Sequence, residues 1–516
     1  MSPDGDDGND GLSPEKPWRS LDHVNGVRFQ PGDRLRLKGG ERFRGSVTLE
    51  KDEAGSAARP VVIDSYGTGR ATIAPRGTPG IAVRDTAGVH VRNLSLVGDG
   101  KALREAAGIG FSSSLPGNRR LEHVRITNVD VRGFQNGISV GTEKSAAAGF
   151  GDVRITGASV HHNLDAGIAF YGPEFDADRP GYAHSGIRIE KVSAYSNTGD
   201  ADSDGRNTGS GITLGSVRDA KVVRSVAHDN GSRSATDAKE GPEGIWVYDS
   251  TKVVLEHNRS YRNRTGSRVD GGGFGLDNNV SSSVMQYNLA YGNDGPGFLV
   301  YSGRPTGAHK DNVVRFNISW DDARKLPEYG GIVAYGTHMK NLDIYHNTVV
   351  MRTKGLASAE DSKNRPPALR LRDGMRGVRV HNNIFATDGG PLVEAQSSYA
   401  PETLRLQGNN YHSTGPWTLA WGARRFTSLD DWRAASRQET LGGEATGSSD
   451  DPCLLGLTVP VGEGADAGNL VPRCGDALPV GLGQKALGVD LGPVDYFGNR
   501  VSPVVTAGAA QPPATG

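Results

Sequence analysis

A short pattern of alternating apolar and polar residues recurs along most of the chain. Each copy is a glycine followed by an apolar residue, a variable residue and a second apolar residue. The copies begin at Gly80, Gly108, Gly137, Gly167, Gly211, Gly244, Gly273, Gly297 and Gly331, with a variant at Ala368. A period of two is typical of β-strands, and no helical period separates the copies. The pattern therefore predicts a stack of short strands with insertions of unequal length.

Most copies are followed by a second apolar-alternating segment that ends near an asparagine. These asparagines are Asn93, Asn128, Asn258, Asn288, Asn317, Asn347, Asn383 and Asn409. Two or more strands per copy favour a coil in which parallel strands lie about 4.8 Å apart. Asparagine tolerates the left-handed backbone of a sharp bend, and aligned amides can form hydrogen-bonded ladders. We therefore predict an all-β solenoid with asparagine ladders at its bends.

The amino-acid composition agrees with this prediction and argues against two classes of binding partner, nucleic acids and membranes. The 516 residues are 35% hydrophobic and include 73 glycines, which suits a large core that is not mainly helical. The formal net charge of -1 offers no bulk attraction to nucleic acids or membranes. No apolar run approaches the roughly 20 residues of a membrane helix. We expect neither partner, and we favour a monomer.

The repeat resembles a known architecture, the right-handed parallel β-helix of the pectate-lyase-like superfamily, over roughly residues 60–411. SPEKPWRSLDHVN (residues 13–25) resembles the opening cap of secreted bacterial carbohydrate-active proteins with this fold. VDGGGFGLDNN (residues 269–279) resembles the middle coils of glycoside hydrolases in that group. The resemblance implies a single-stranded right-handed parallel β-helix with short capping helices and long loop insertions. It also implies polysaccharide or oligosaccharide chemistry.

The repeat also predicts how the chain is divided. We expect a disordered N-terminal tail (1–16), an N-terminal cap (17–60), the β-helix (61–411), C-terminal coils with a capping segment (412–508) and a disordered tail (509–516). A short helix over residues 20–24 would cover the first coil. Ser428 would N-cap a second short helix that carries Trp432.

The repeat allows the outward-facing positions to be read from copy to copy. With the recurrent glycine as position zero, positions one and three point inward and position four points outward. Position four carries Arg84, Ser112, Gly141, Tyr171, Gly215, Tyr248, Asp277, Tyr301, Tyr335 and Arg372. Exposed aromatic rings suit sugars, whose C–H faces pack on the π-surface. The predicted substrate-binding residues are Tyr171, Trp246, Tyr248, Asn278, Tyr301, Tyr335, Glu243 and Arg372. The alternative is that the tyrosines only cover the sheet.

Asp277 breaks this column, because neighbouring copies place tyrosine at the same position. Asp249 follows position four of the preceding copy, and Asp270 begins the turn that leads into the Asp277 strand. Glycoside hydrolysis usually uses two carboxylates. The sequence therefore predicts Asp277 as a catalytic residue, paired with Asp249 or Asp270. The alternative for each aspartate is a role as a turn or capping residue.

An acidic insertion matches the start of a calcium loop. Asp200, Asp202 and Asp204 alternate before Gly205, as carboxylates do around a hard cation. The position of the bidentate glutamate is occupied by Gly211, so the motif is incomplete. Calcium binding and a plain acidic loop both stay open, and the predicted hydrolase requires no cofactor.

Three functions fit these residues, and a glycoside hydrolase fits best. A polysaccharide lyase or epimerase acting on uronic-acid glycans ranks second, because its groove should be basic. The central column carries tyrosines and a carboxylate, whereas Arg370 and Arg372 come later. A non-catalytic glycan-binding β-helix ranks third, since fold alone does not decide function.

The sequence says less about cellular location. The first sixteen residues have neither the basic nor the apolar region of a signal peptide. We expect a secreted or extracellular protein whose signal is absent from this chain, with a cytoplasmic location as the alternative. Cys453 and Cys474 form a disulfide or stay reduced, and the spacing does not choose between these states.

Overall fold

The computed structural model divides into two compact units, Met1–Val253 and Val254–Gly516. It describes all residues except 101–105, 118, 143–147, 204, 355, 357–364, 373, 460, 463, 475–479, 502–504 and 512–516. Both units are built from short parallel strands.

The unit Met1–Val253 begins with one short helix, α1 (Leu21–Val24), and continues in strands. The strands are β1 (Arg34–Lys38), β2 (Arg42–Arg44), β3 (Val47–Leu49), β4 (Val61–Tyr66), β5 (Ala71–Ala74), β6 (Ile81–Arg84), β7 (Val89–Arg92), β8 (Leu94–Val97), β9 (Ala107–Ser113), β10 (Leu121–Thr127), β11 (Asp130–Arg132), β12 (Asn136–Thr142), β13 (Phe150–Thr156), β14 (Ser159–His161), β15 (Ala166–Tyr171), β16 (His184–Glu190), β17 (Ser193–Tyr195), β18 (Ser210–Gly215), β19 (Val217–Val223), β20 (Val226–His228) and β21 (Glu243–Tyr248).

Within this unit each sheet takes every third strand. Sheet A runs β1-β4-β7-β10-β13-β16-β19, sheet B runs β2-β5-β8-β11-β14-β17-β20, and sheet C runs β3-β6-β9-β12-β15-β18-β21. Neighbouring strands are parallel and in register, as Ile138, Ile168 and Ile212 show in sheet C. A step of three strands is what a coil with three strands per turn requires.

The unit Val254–Gly516 continues in the same pattern, and β22 (Thr251–Glu256) contains the boundary between the units. Its strands are β23 (Arg259–Tyr261), β24 (Gly272–Leu276), β25 (Val284–Gln286), β26 (Leu289–Tyr291), β27 (Phe298–Ser302), β28 (Lys310–Arg315), β29 (Ile318–Trp320), β30 (Ile332–Gly336), β31 (Met339–Tyr345), β32 (Thr348–Met351), β33 (Leu369–Leu371), β34 (Met375–Arg376), β35 (Val378–His381), β36 (Ile384–Thr387), β37 (Val393–Ala395), β38 (Leu404–Gln407), β39 (Asn410–Ser413), β40 (Leu419–Trp421), β41 (Arg424–Phe426), β42 (Thr440–Leu441) and β43 (Glu444–Ala445). Its helices are α2 (Leu429–Ser436) and α3 (Gln484–Leu487), with 3₁₀ turns at Leu455–Leu457 and Ala467–Leu470.

The second unit has the same three-sheet order. Sheet A runs β22-β25-β28-β31-β35-β38 with β34 beside β31, sheet B runs β23-β26-β29-β32-β36-β39, and sheet C runs β24-β27-β30-β33-β37-β40-β41. β41 is antiparallel to β40, and β42 and β43 form a separate antiparallel pair. The predicted all-β parallel solenoid is confirmed.

The predicted inward positions form the core. Phe274, Leu276, Phe298 and Val300 are all 0% exposed, and the rings of Phe274 and Phe298 stack with their centroids 5.1 Å apart. Identical positions of successive strands therefore pack on one another inside the coil. This stacking confirms that positions one and three point inward.

Both predicted short helices are present. The Ser20 side chain accepts a hydrogen bond from the His23 N–H (3.1 Å) and caps α1, and Ser428 caps α2 through the Asp431 N–H (3.2 Å). Trp432 of α2 is fully buried. Among the helices of the described residues, none is long and apolar enough to cross a membrane.

The chain termini and cysteines complete the fold. The Met1 amino group donates to the carbonyl oxygen of Arg36 (2.7 Å), so the segment expected to be a tail contacts β1. Cys453 and Cys474 are joined by a disulfide, with their Cα atoms 5.5 Å apart. The division into five segments and the secreted location stay predictions.

A ladder of buried asparagines runs through the second unit. The Oδ1 of Asn288 accepts from the backbone N–H (3.0 Å) and the Nδ2 (3.1 Å) of Asn258. The same contacts continue through Asn317, Asn347, Asn383 and Asn409, and the last acceptor is the Glu439 carboxylate. Every amide donates in the same direction, so the final member only has to accept, and a carboxylate suits that place. The predicted ladder is confirmed from Asn258 to Asn409, whereas Asn128 Nδ2 donates to Asn93 Oδ1 (2.8 Å) as a separate pair in the first unit.

Two further ladders have no counterpart in the sequence prediction. Asn163, Asn197 and Asn230 form one in the first unit. Asn263, Asn293 and Asp322 form another in the second unit, and it too ends on a carboxylate. Buried amides therefore satisfy one another at two bends of the second unit.

Candidate functional site

Asp277 lies directly after β24, where the chain leaves sheet C. Its Oδ1 accepts a hydrogen bond from the backbone N–H of Asn278 (2.5 Å). Its backbone carbonyl oxygen accepts from Nδ1 of the buried His309 (3.1 Å). Leu276 before it is fully buried, so alternation turns the Asp277 side chain away from the core. This carboxylate therefore lies on the outer face of the coil, and the backbone of the same residue is hydrogen-bonded to the buried His309.

The two amides after Asp277 hold the loop that follows β27. Asn278 Oδ1 accepts from the backbone N–H groups of Gly303 (2.8 Å) and Arg304 (3.1 Å). Asn279 Oδ1 accepts from the Thr306 hydroxyl (2.6 Å). The oxygen of Asn278, which was predicted to bind substrate, is thus occupied by a loop of the protein.

Asp270 lies at the other end of β24. Its Oδ1 accepts a hydrogen bond from the Tyr329 hydroxyl (3.3 Å). Its backbone N–H donates to the oxygen of that hydroxyl (3.2 Å). Burial and the neighbouring Asp270 charge raise the pKa of Tyr329, so this hydroxyl stays a donor. Asp270 and Gly271 both have left-handed backbones (φ 53° and 76°), so the chain turns as it enters β24. Asp270 and Asp277 therefore lie before and after this strand, whose five residues are all buried.

The predicted aromatic column is present in the second unit. The rings of Tyr301 and Tyr335 are paired in register, with centroids 5.2 Å apart and planes inclined by 41°. Tyr335 is 36% exposed, and the guanidinium carbon of Arg372 lies 4.9 Å from its ring centroid. Such a cation–π contact holds the guanidinium in place. Tyr301, Tyr335 and Arg372 thus form one continuous row after Asp277.

The first unit carries a second set of aromatic residues. The ring of Tyr171 lies over Gly141, and the ring of Tyr248 lies over Gly215, each at the same position of the preceding strand. Trp246 lies 5.2 Å from Tyr248 between ring centroids, and its Nε1 donates to another side chain, the Ser210 hydroxyl (3.0 Å).

The remaining predicted residues of the first unit lie at the ends of β21. Glu243 begins the strand and is buried, whereas Asp249 follows Tyr248 with a left-handed backbone (φ 46°). The catalytic roles of Asp277, Asp249 and Asp270 stay predictions.

Asp165 is a candidate that the sequence did not single out. It precedes β15, and its carboxylate accepts from Gln135 Nε2 (3.4 Å). Burial raises its pKa. Its carbonyl oxygen accepts from the N–H of Ser210 (2.9 Å), whose hydroxyl is bound by Trp246. A carboxyl with a raised pKa therefore lies beside β18, the strand between it and Trp246, and its burial depends on packing that local sequence does not reveal.

The acidic insertion of the first unit does not form a complete metal centre in the described residues. Asp202 donates its N–H to Asp200 Oδ1 (3.1 Å), as in an Asx turn, and Asp204 lies outside the described residues. Within the described part of the chain, no group of three or more histidine, cysteine, aspartate or glutamate side chains could hold a metal ion. Calcium binding by this insertion stays a prediction.

Comparison with known proteins supports the fold and gives one functional lead. The family model described as "Right handed beta helix region" matches residues 115–366. Lacto-N-biosidase of Bifidobacterium longum subsp. longum is 24% identical in an alignment 440 residues long, which covers 67% of this chain and 26% of that protein. The chain therefore spans about a quarter of the length of this relative.

Two solved structures show the same fold. The lacto-N-biosidase of family GH136 from Eubacterium ramulus has a TM-score of 0.50 and 19% identity, over 68% of this chain and 63% of its own. The complex of XylC with xylose has a TM-score of 0.51 and 10% identity, over 99% of this chain and 97% of its own. The chain is thus a right-handed parallel β-helix with distant similarity to lacto-N-biosidase.

Proposed function

We propose that this protein is a glycoside hydrolase that cleaves a polysaccharide or oligosaccharide. The main observation is Asp277, a half-buried carboxylate directly after β24 that Tyr301 and Tyr335 continue as a row on sheet C, with Asp270 just before the same strand. The distant similarity to lacto-N-biosidase, a glycosidase by its name, supports the same reaction class. The proposed substrate is therefore a glycan that lies along the row of Asp277, Tyr301 and Tyr335.

The two carboxylates would supply the acid and base chemistry. Glycosidases use one carboxyl group to protonate the leaving oxygen and a second to attack the sugar or to activate water. Asp277 is held by the Asn278 N–H and Asp270 by the Tyr329 hydroxyl, so both carboxylates are oriented by neighbouring donors. Asp249 stays the alternative partner proposed from the sequence repeat.

The aromatic rows would bind the sugar rings. Tyr301 and Tyr335 follow Asp277 on the outer face of sheet C, and Arg372 adds hydrogen-bond donors beside them. In the first unit, Tyr171 covers a glycine with one ring face and is 41% exposed. A ring that is supported in this way can stack against the C–H face of a sugar.

The decisive experiment incubates the protein with a panel of neutral and acidic glycans and measures the release of reducing ends. We expect Asp277→Asn and Asp270→Asn to lower kcat by about 10²- to 10⁴-fold while glycan binding persists. Asp311→Asn, at an exposed aspartate of β28, is the matched control and should keep full activity. If the unaltered protein releases no reducing ends from any glycan, the proposal is wrong.

The same panel tests the two alternatives. Products with new ultraviolet absorbance, which an unsaturated sugar would give, would favour a lyase. Binding without turnover would favour a glycan-binding module, for which the Tyr301–Tyr335 row alone would suffice.

A further inference from the structure

A buried histidine contacts the backbone of the proposed catalytic aspartate. His309 is 1% exposed and lies directly before β28, 32 residues after Asp277 in the chain. Its Nδ1 is 3.1 Å from the carbonyl oxygen of Asp277. A carbonyl oxygen only accepts, so Nδ1 carries the hydrogen and the tautomer is defined. Within the described part of the chain, Nε2 has no hydrogen-bond partner.

The loop that leads to His309 is tied to the same turn. Asn278 accepts from the N–H groups of Gly303 and Arg304, and Asn279 accepts from Thr306. The turn 277–279 and the loop 303–309 are thus joined by four hydrogen bonds. We call this pair of segments the clamp.

We infer that His309 is a positioning residue that fixes the Asp277 carboxylate for catalysis, with the loop 303–309 holding His309 against it. The inference rests on the proposed function, in which Asp277 is catalytic. The inference also assigns a role to Asn278 and Asn279. Their side chains hold the loop 303–309, whereas the neighbouring Asp277 carboxylate faces outward.

The physical reason is geometric. The carbonyl oxygen and the side chain of Asp277 share one Cα, so a bond that fixes the carbonyl also limits rotation of the backbone that aims the carboxylate. A displacement of about 1 Å can lower turnover by about 10²-fold, because the reacting atoms must be aligned. Burial lowers the pKa of His309 to about 4, so the ring is neutral and donates only from Nδ1 above that pH.

The test compares two substitutions of His309. His309→Asn places an amide donor where Nδ1 lies, whereas His309→Leu fills similar volume without a donor. We expect His309→Leu to lower kcat by about tenfold or more with little change in KM, and His309→Asn to recover most of that loss. The control is His346→Leu, which removes another buried histidine that contacts Asn382 and Gln511 instead. It should lower stability comparably and leave kcat unchanged.

A surface variant keeps the test informative if His309→Leu does not fold. Thr306→Val removes the bond to Asn279 at an exposed loop position and should lower kcat by about threefold to tenfold. If the unaltered protein turns over a glycan and His309→Leu and Thr306→Val both keep its kcat, the positioning role is wrong and the proposed hydrolase stands. If the unaltered protein has no turnover on any glycan, the proposed function itself fails. If His309→Asn is as impaired as His309→Leu although both fold, the Nδ1 bond is not the cause and the inference is overturned.

Discussion

The phenol ring of Tyr171 lies directly over Gly141, its register partner in the preceding strand of sheet C. A Cβ atom built on Gly141 would lie 2.0 Å from Cζ of that ring, far inside contact distance. The glycine therefore makes room for the tyrosine to lie against the sheet. Tyr248 and Gly215 repeat the arrangement, with a distance of 2.2 Å to the same ring atom.

Replacing this glycine should move the aromatic ring. We expect Gly141→Ala to lift Tyr171 off the sheet and to weaken glycan binding by about tenfold, because the ring loses its support. Isothermal titration with the best substrate of the hydrolysis panel measures this effect. Gly181→Ala is the matched control, since a Cβ there has no neighbour closer than 3.9 Å. Equal affinity of Gly141→Ala and the unaltered protein would contradict a binding role for Tyr171.

The middle of the long asparagine ladder should be sensitive to substitution. The Oδ1 of Asn317 accepts two bonds from Asn288, and its Nδ2 donates to Met285 and Asn347. Asn317→Ala would leave several buried groups without partners, at a cost of about 2–4 kcal/mol in the free energy of unfolding. Denaturant unfolding measures this cost. Lys340→Ala, at an exposed residue of β31, should cost less than about 0.5 kcal/mol.

The shorter ladder of the second unit should make stability depend on pH. Burial raises the pKa of Asp322 to about 7, although Ser319 and Asn293 donate to its carboxylate. Between about pH 4 and pH 7 the folded state therefore holds a proton that the unfolded state has released. This contribution to stability is largest near pH 4 and falls as the pH rises to 7, with an upper limit of about 4 kcal/mol.

Asp322→Asn should remove that dependence, because an amide can accept from Asn293 and donate to Ser319 without titrating. Thermal unfolding at pH 4.5 and at pH 7 measures it as a difference in Tm between the variant and the unaltered protein. Asp311→Asn, at an exposed aspartate, should leave the dependence as it is. A difference between the two pH values that Asp322→Asn does not reduce would contradict the assignment.

The disulfide should stabilise the C-terminal segment. Cys453 and Cys474 are 21 residues apart, and closing a loop of this length in the unfolded chain contributes about 3 kcal/mol. We expect reductant to lower the Tm of the unaltered protein. The double substitution Cys453→Ser and Cys474→Ser should have that lower Tm with or without reductant. A Tm that reductant leaves unchanged would show that the bond adds no stability.

Much of the fold follows from local pattern. Phe274 and Leu276 are two residues apart, and in an extended strand that spacing places both side chains on one face. Their burial, the capping of α2 by Ser428 and the ladder through Asn288 were predicted for this reason. Each depends on residues close in sequence or on a position that recurs in every copy.

The candidate site follows from local pattern only in part. Asp277 was recognisable because it replaces a tyrosine in a recurring column. Its contact with His309 was not, because insertions of unequal length separate the strands and obscure which residues become neighbours. The same limit applies to Asp165, whose raised pKa comes from burial by distant segments.

The amino-acid sequence by itself thus determined the period, the inward positions and the parallel coil, since alternation in a strand is a local property. Only the tertiary structure decided that Asn278 holds a loop, that His309 supports Asp277 and that Asp322 ends a ladder. Those relationships join residues about 25 to 32 positions apart, across strands that hydrogen bonds and packing bring together. Hydrogen bonds between neighbouring turns depend on three-dimensional register, which the coil acquires only when it is assembled.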